Sequence, residues 1–238
     1  MSEDSFELKP IAYIQSCYKQ KFGIPRQPGL VKQATAQLVF EPDYSLADSI
    51  RGIEQFSHLW IIFLFHKSIS RRNKITVRPP RLGGKVKLGV FATRSNFRPN
   101  PIGQSVVQFV GVEIKNGRCA LNLTGGDFLD GTPVLDIKPY IPYADSVPNA
   151  RAGFASEPPV KKYQVIFSQD SLAEIDQASR ILPIDLKKLI AELLSYDPRP
   201  AHYDGKNLKK EFSTTIFDGD LKWRVDGNIV KVLAYSAM

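Results

Sequence analysis

The densest concentration of residues that could do chemistry is Gly89 to Gly103, GVFATRSNFRPNPIG. Two Gly, two Pro, two Asn and two Arg within fifteen residues, directly after a β-type run, describe a loop held on a rigid scaffold, and such loops commonly carry function. Arg94 and Arg98 can each fork onto a carboxylate or a phosphate. Asn100-Pro101 matches half of a device found in enzymes that methylate exocyclic amines, where an Asn carbonyl and a Pro backbone carbonyl accept from the amine. Ile102 and Gly103 stand where an aromatic normally follows, and Phe97 offers a stacking face instead. Two residues alone carry little weight, and composition leaves a solvated loop as an equal alternative.

Three further clusters stand out. Asp127 to Asp145, DFLDGTPVLDIKPYIPYAD, contains an Asp130-Gly131 turn that could accept from a ligand amine while its backbone reads a base edge. Chemistry alone favours the plainer reading, a hairpin with Asp136 and Lys138 paired. Arg26-Gln27-Pro28-Gly29 follows Pro25 and reads as a turn. Asp197-Pro198-Arg199-Pro200, followed by Ala201, His202 and Tyr203, is a stiff turn presenting Arg199 and Tyr203. Pro198 alone would stop a helix, so Arg199 and Pro200 are left without a reason. Other chemistries are disfavoured. His58, His66 and His202 with isolated Cys17 and Cys119 provide no metal-ligand spacing. There is also no glycine fingerprint for a dinucleotide, no Walker loop and no GxSxG elbow.

The elements that must hold these loops are mostly strands. Ile11–Gln15, Ala36–Phe40, Leu59–Phe65, Gly89–Ala92, Ser105–Glu113, Arg118–Thr124 and Pro133–Ile137 are short β-branched or aromatic runs bounded by turn residues. Asn116-Gly117 between two of them is a hairpin signal. A helix is predicted from an N-cap at Ser45, with Leu46, Ile50, Ile53 and Phe56 at helical spacing. Many short strands with long Gly/Pro-rich connections predict a mainly β fold, a closed or nearly closed β-barrel over residues 1–150. After the linker RAGFASEPP (Arg151–Pro159) the pattern becomes a smaller C-terminal α+β domain, 151–238. Its strand is Tyr163–Phe167, its helices Ser168–Arg180 and Ile184–Leu194, and its later strands Lys209–Ile216, Leu221–Val225 and Ile229–Ala234.

The 238 residues are 43% hydrophobic and 24% charged, which excludes wholesale disorder and fibrous repeats. No apolar run is long enough for a membrane span, and the acidic Met1–Pro10 lacks a signal-peptide core. Two cysteines suit a reducing cytoplasm. The net charge of +8 is local: between Glu54 and Glu113 there are ten Lys or Arg and no acid, whereas the remainder sums to −2. A basic window of that kind points to a polyanion.

Taken in order, RQPG at Arg26, GVFATRSNFRPNPIG at Gly89, DGTPVLDIKPYIPYADS at Asp130 and DPRPAHY at Asp197 resemble the tRNA N6-adenine methyltransferases of the TrmO type (TsaA-like or YaeB-like proteins) over nearly the whole chain. The resemblance implies a non-Rossmann β-barrel catalytic domain using S-adenosyl-L-methionine, a homodimer, and methylation of a threonylcarbamoylated adenosine beside the anticodon, principally in threonine tRNA. Carried over to this sequence, the cofactor contacts are Arg26, Gln27, Pro28, His66, Lys67, Arg94, Gln104, Ser105, Leu129, Asp130, Gly131 and Thr132. Asp130 is a candidate for the cofactor's amine and Arg94 for its carboxylate, and Asn96 or Asn100 for accepting the acceptor nitrogen's proton. Arg71, Arg72, Lys74, Arg98, Arg199 and Tyr203 are the candidate tRNA contacts, with Phe97 and Tyr143 available for stacking. Two rival readings stay open: a basic RNA-binding barrel without turnover, and a barrel holding an adenosyl ligand as a signal.

Overall fold

The computed structural model describes residues 7–71, 75–115, 117–182, 184–197, 199, 203 and 210–237. The first part holds strands β1 (Ala12–Ser16), β2 (Thr35–Phe40), β3 (His58–Leu64), β4 (Thr76–Val77), β5 (Leu88–Gly89), β6 (Ile102–Lys115), β7 (Arg118–Thr124) and β8 (Pro133–Pro139), then a four-residue helix α1 (Pro142–Asp145). Strict in-out alternation in β1 and β2 buries Ala12, Ile14, Leu38 and Phe40 on one face. Six strands pair in the order β1-β2-β7-β6-β3-β8, and β8 returns to β1, so the sheet closes on itself. The enclosed core includes Ile14, Leu38, Leu59, Ile61, Leu121, Leu123 and Phe128.

One strand must serve two neighbours. The start of β6 pairs with β3 and its end with β7, and the register shifts between Phe109 and Gly111. A bulge there bends the strand around the closing sheet. At the start of β6, Gly103 lies opposite Phe63, where a Cβ would come within 2.3 Å of the ring.

The weakest join is β1 with β8, which share only the pairs Ala12–Val134 and Tyr13–Pro133, and Pro133 has no N–H to offer. The turn before β8 compensates. Gly131 N donates to the Ile14 carbonyl at 2.8 Å, Ile14 N to Thr132 at 2.9 Å, and Asp130 N to Tyr18 at 2.8 Å. The Asp130 side chain completes the clamp: Oδ1 accepts from Ser16 N at 2.8 Å and Oδ2 from Lys19 Nζ at 3.0 Å. Gly131 has φ +71°, a left-handed conformation suited to glycine.

The second part comprises β9 (Gln164–Phe167), α2 (Gln169–Ser179), α3 (Leu186–Ser195), β10 (Glu211–Ile216), β11 (Gly219–Asp226) and β12 (Ile229–Ala237). The sheet order is β10-β11-β12-β9, with β12 and β9 parallel. Ser168 caps α2 by accepting from Ser171 N, as its sequence position predicts. The core of this part is not its own alone, because Cys17, Tyr18, Val31 and Ala34 are buried within it. Phe217 N donates to the Cys17 carbonyl at 2.8 Å across the same junction.

Two predicted elements differ from expectation. The helix expected after Ser45 is two short 3-10 turns, Ala47–Ile50 and Ile53–Gln55. Gly52 at φ +87° interrupts it, and the Ser45 hydroxyl accepts from Cys119 N at 2.6 Å instead of capping. The strand expected at Gly89–Ala92 stops at Gly89, and Val90–Ala92 turns as 3-10 helix.

Asp130→Ala removes both side-chain halves of the clamp. It should destabilise the protein by about 1–3 kcal/mol in urea unfolding, with Asp130→Asn milder because it keeps an acceptor for Ser16 N. Unchanged stability in the Ala variant would show that the seam does not depend on this turn.

Candidate active site at one end of the barrel

The sequence motifs come from distant stretches, and the barrel brings most of them to one end. The clamp that closes the seam places Leu129–Thr132 beside the end of β1. The Arg26–Gly29 loop leans on the end of β7, where Gly29 N donates to the Gly125 carbonyl at 2.8 Å. That approach is backbone against backbone: a Cβ on Gly125 would sit 3.7 Å from Gly29 Cα, and Gly125 has φ +74°. Arg94, from the loop after β5, reaches across to this segment, its Nη1 donating to Gln27 Oε1 at 2.7 Å. Pro28 lies half-buried beside Gln27.

The chain leaving β3 forms the next wall. His66 and Lys67 begin a 3-10 turn running to Arg71. The Lys67 carbonyl accepts from Lys21 Nζ at 2.6 Å, joining this turn to the segment after β1. Partial burial and the neighbouring Lys67 and Lys21 charges push the His66 imidazole down from its ordinary pKa, which favours its neutral form. Asn96 Nδ2 donates to Ser68 Oγ at 2.7 Å, fixing the Arg94–Asn100 loop on the same turn. Asn100 is exposed, and its carbonyl accepts from Ile102 N at 2.7 Å.

Gln104 and Ser105 part company because adjacent strand residues face opposite sides. Ser105 is buried, and its hydroxyl donates to Asp127 Oδ1 at 2.7 Å. Gln104 is exposed on the outer side of β6, so the structure does not place it with the others. Asp127 itself was not among the residues singled out by sequence, which favoured Asp130 three positions on. Both Asp130 oxygens are engaged in the seam. The Asp127 carboxylate accepts from no other side chain among the described residues than Ser105. Burial pushes its carboxyl up to about 6, against the opposing effects of the Ser105 hydroxyl and Arg94.

The expected RNA contacts divide. Arg72 and Lys74 lie outside the described residues, and Arg71 ends the 3-10 turn. Beyond them, Arg78, Arg81, Lys85 and Lys87 are all exposed around the small β4–β5 ribbon, with Arg81 donating to the Glu157 carbonyl. Arg98 braces its own loop: Nη1 donates to the Thr93 carbonyl at 2.7 Å and to Val90 at 3.3 Å, and the guanidinium lies over Phe91. Arg199, expected on the surface, is instead 2% exposed and ion-paired with Asp197 at 2.7 Å. Tyr203 packs edge-on against Phe212 in the C-terminal core. Tyr143, by contrast, is 90% exposed.

At the opposite end of the barrel lies a cleft of about 360 Å³ between Ile50, Ile53 and Phe56 on one side and Leu59 and Ile137 on the other. The segment that starts at Asp130 reaches it through Asp136, Ile137 and Pro139 of β8, and the other three motifs contribute no described residue to its lining. Among the described residues no group of His, Cys, Asp and Glu is placed to hold a metal ion.

The Asp127 environment has a measurable consequence. A carboxyl whose folded pKa lies above its unfolded value holds its proton more tightly when folded. Its contribution to stability is therefore full below about pH 4 and is lost as pH rises through about 6. Between pH 4 and 7 the wild type should lose on the order of 1–3 kcal/mol relative to Asp127→Asn, which stays neutral. Parallel pH dependence of the two in chemical denaturation would contradict this burial.

Comparison with known proteins agrees with the motif order. Residues 13–146 match the tRNA-methyltransferase O N-terminal domain and residues 160–237 the TrmO C-terminal domain. The chain is 45% identical to the Escherichia coli K12 tRNA (adenine(37)-N6)-methyltransferase over 221 residues, covering 93% of this chain and 94% of that one. A Homo sapiens tRNA (adenine(37)-N6)-methyltransferase is 46% identical over 147 residues, 59% of this chain and 31% of its own. The crystal structure of TrmO from Pseudomonas aeruginosa superposes with a TM-score of 0.83 at 36% identity, covering 100% of both chains. With both domains matched in sequence and the whole chain in structure, this protein belongs to the tRNA-methyltransferase O family.

Proposed function

We propose that the protein transfers a methyl group from S-adenosyl-L-methionine to N6 of the adenosine beside the anticodon in tRNA, the position named for its Escherichia coli relative. The observation that carries this reading is the meeting of Arg26–Gly29, Arg94, Ser105–Asp127 and Leu129–Thr132 at one barrel end. The groups there suit the cofactor's chemistry. Arg94 is exposed with one nitrogen on Gln27, leaving its fork available to a carboxylate. Asp127 offers a carboxylate to a cation, the part first assigned to Asp130. Backbone groups of Arg26–Pro28 and Leu129–Thr132 suit a base edge.

When bound, S-adenosylmethionine supplies an already activated methyl on a sulfonium. The protein's task is then mainly positioning. The acceptor nitrogen gives up its proton to water as it gains the methyl, so a neutral hydrogen-bond acceptor that orients its N–H suffices, and Asn96 or Asn100 would serve. Asn96, held by Ser68, is the more fixed of the two.

The exposed cations around the β4–β5 ribbon supply phosphate contacts, which give affinity and salt dependence with little sequence information. Phe97 would stack on an unpaired base, whereas Tyr143, past the far end of β8, lies with the opposite end of the barrel. In the finer reading, the acceptor carries a threonylcarbamoyl group, threonine tRNA is the main substrate, the barrel (1–150) does the chemistry, and the cytoplasmic enzyme works as a homodimer.

Methyl transfer to tRNA with and without the threonylcarbamoyl group tests the substrate. Transfer only to the modified tRNA is expected, and equal transfer to both would remove that group from recognition. Arg94→Ala should weaken cofactor binding in calorimetry by about tenfold, and wild-type affinity would take Arg94 out of the site. Charge reversal at Lys85 and Lys87 should weaken tRNA binding and flatten its salt slope by about one unit per lost phosphate contact, with cofactor affinity unchanged. An unchanged tRNA slope would reduce the ribbon to a solvated face.

A further inference from the structure

Arg199 is a buried cation. Its guanidinium is among the largest fully buried side chains of the protein, and a buried cation is costly unless it is paired and hydrogen-bonded. It is held on several sides. Nε donates to Asp197 Oδ1 at 2.7 Å and Nη2 to Asp197 Oδ2 at 3.0 Å, a forked pair. Nη2 also donates to Tyr163 Oη at 2.6 Å, and Tyr163 Oη donates to Asp197 Oδ2 at 3.2 Å. The guanidinium lies over the rings of Tyr163 and Phe212. Asp197 stands at φ +53°, where non-glycine residues are uncommon, and Arg199 N donates back to its carboxylate at 3.2 Å. The bond from Arg199 N ties the backbone at Arg199 to the same carboxylate that holds its side chain.

That backbone also reaches outward. The Arg199 carbonyl accepts from Arg26 Nη2 at 3.1 Å, across 173 residues of sequence. Arg26 begins the loop whose next residue receives Arg94. A buried, over-determined network in the C-terminal domain therefore ends on the loop that the proposed function gives to the cofactor. A solvent-facing phosphate contact would need none of that burial.

We propose that the Asp197–Arg199–Tyr163 network is a positioning device: it fixes the Arg199 carbonyl so that Arg26 holds the Arg26–Pro28 loop in its cofactor-binding form. The C-terminal domain thereby sets affinity for the methyl donor. The inference rests on the cofactor assignment above, and its test separates the two.

The test measures S-adenosylmethionine dissociation constants by calorimetry, and tRNA affinity at fixed salt, for the full-length wild type, Asp197→Asn, Arg26→Ala and the double variant. Asp197→Asn should bind the donor about tenfold more weakly, with tRNA affinity within about twofold of wild type. The double variant should be no weaker than Arg26→Ala alone, since the network acts through Arg26. If Asp197→Asn does not fold, Tyr163→Phe, which removes one hydroxyl from the network, should weaken donor binding in the same direction with a smaller effect. Additive losses, unchanged donor affinity, or a fall in tRNA affinity alone would overturn the proposal. A wild type that binds no S-adenosylmethionine would instead overturn the cofactor assignment.

Discussion

The closing of the barrel depends on a seam of two residue pairs, one of them involving a proline. What holds it is the Asp130–Thr132 turn, folded onto the end of β1 by three backbone bonds and by the Asp130 carboxylate on Ser16 N and Lys19. The same turn lies in the candidate site. Seam and site thus share one turn, and each Asp130 carboxylate oxygen takes part in holding the scaffold together. The neighbouring carboxylate, Asp127, is left to face the site, tethered by the single Ser105 hydroxyl.

Much of this was readable from the amino-acid order. Period-two burial in β1 and β2 follows directly from AYIQS and TAQLVF, and the Asp130-Gly131 signal falls at an observed turn, while Asn116 of the Asn-Gly signal lies outside the described residues. The four motifs also told which loops matter. Their pairings were not readable, because each depends on a partner far away in sequence: Arg94 on Gln27, Ser105 on Asp127, Arg26 on the Arg199 carbonyl. Arg199 misled most. An arginine flanked by prolines reads as displayed, but the left-handed backbone at Asp197 and the hydroxyl of Tyr163 turn it inward. The helix predicted after Ser45 failed for a comparable reason, since the capping hydroxyl is engaged by Cys119 N and Gly52 takes a left-handed turn.

The two parts of the chain share more than a linker. Cys17 and Tyr18, immediately after β1, are buried in the core of the C-terminal sheet. The strand that carries the seam therefore continues into the second domain's packing, and the Arg26–Gly29 loop emerges between the two. Charge is arranged differently. The excess positive charge projects on the β4–β5 ribbon, while Arg98 and Arg199, cations of similar appearance in sequence, are consumed by internal contacts. A net charge of +8 is thus a poor guide to which cations meet RNA.

A crystal structure of the protein soaked with S-adenosylmethionine would locate the site outright. The ligand is expected at the barrel end, touching Arg26–Pro28 and Leu129–Thr132, with Arg94 within hydrogen-bonding distance of its carboxylate. Ligand density in the cleft between Ile53 and Ile137 at the other end of the barrel would contradict that location.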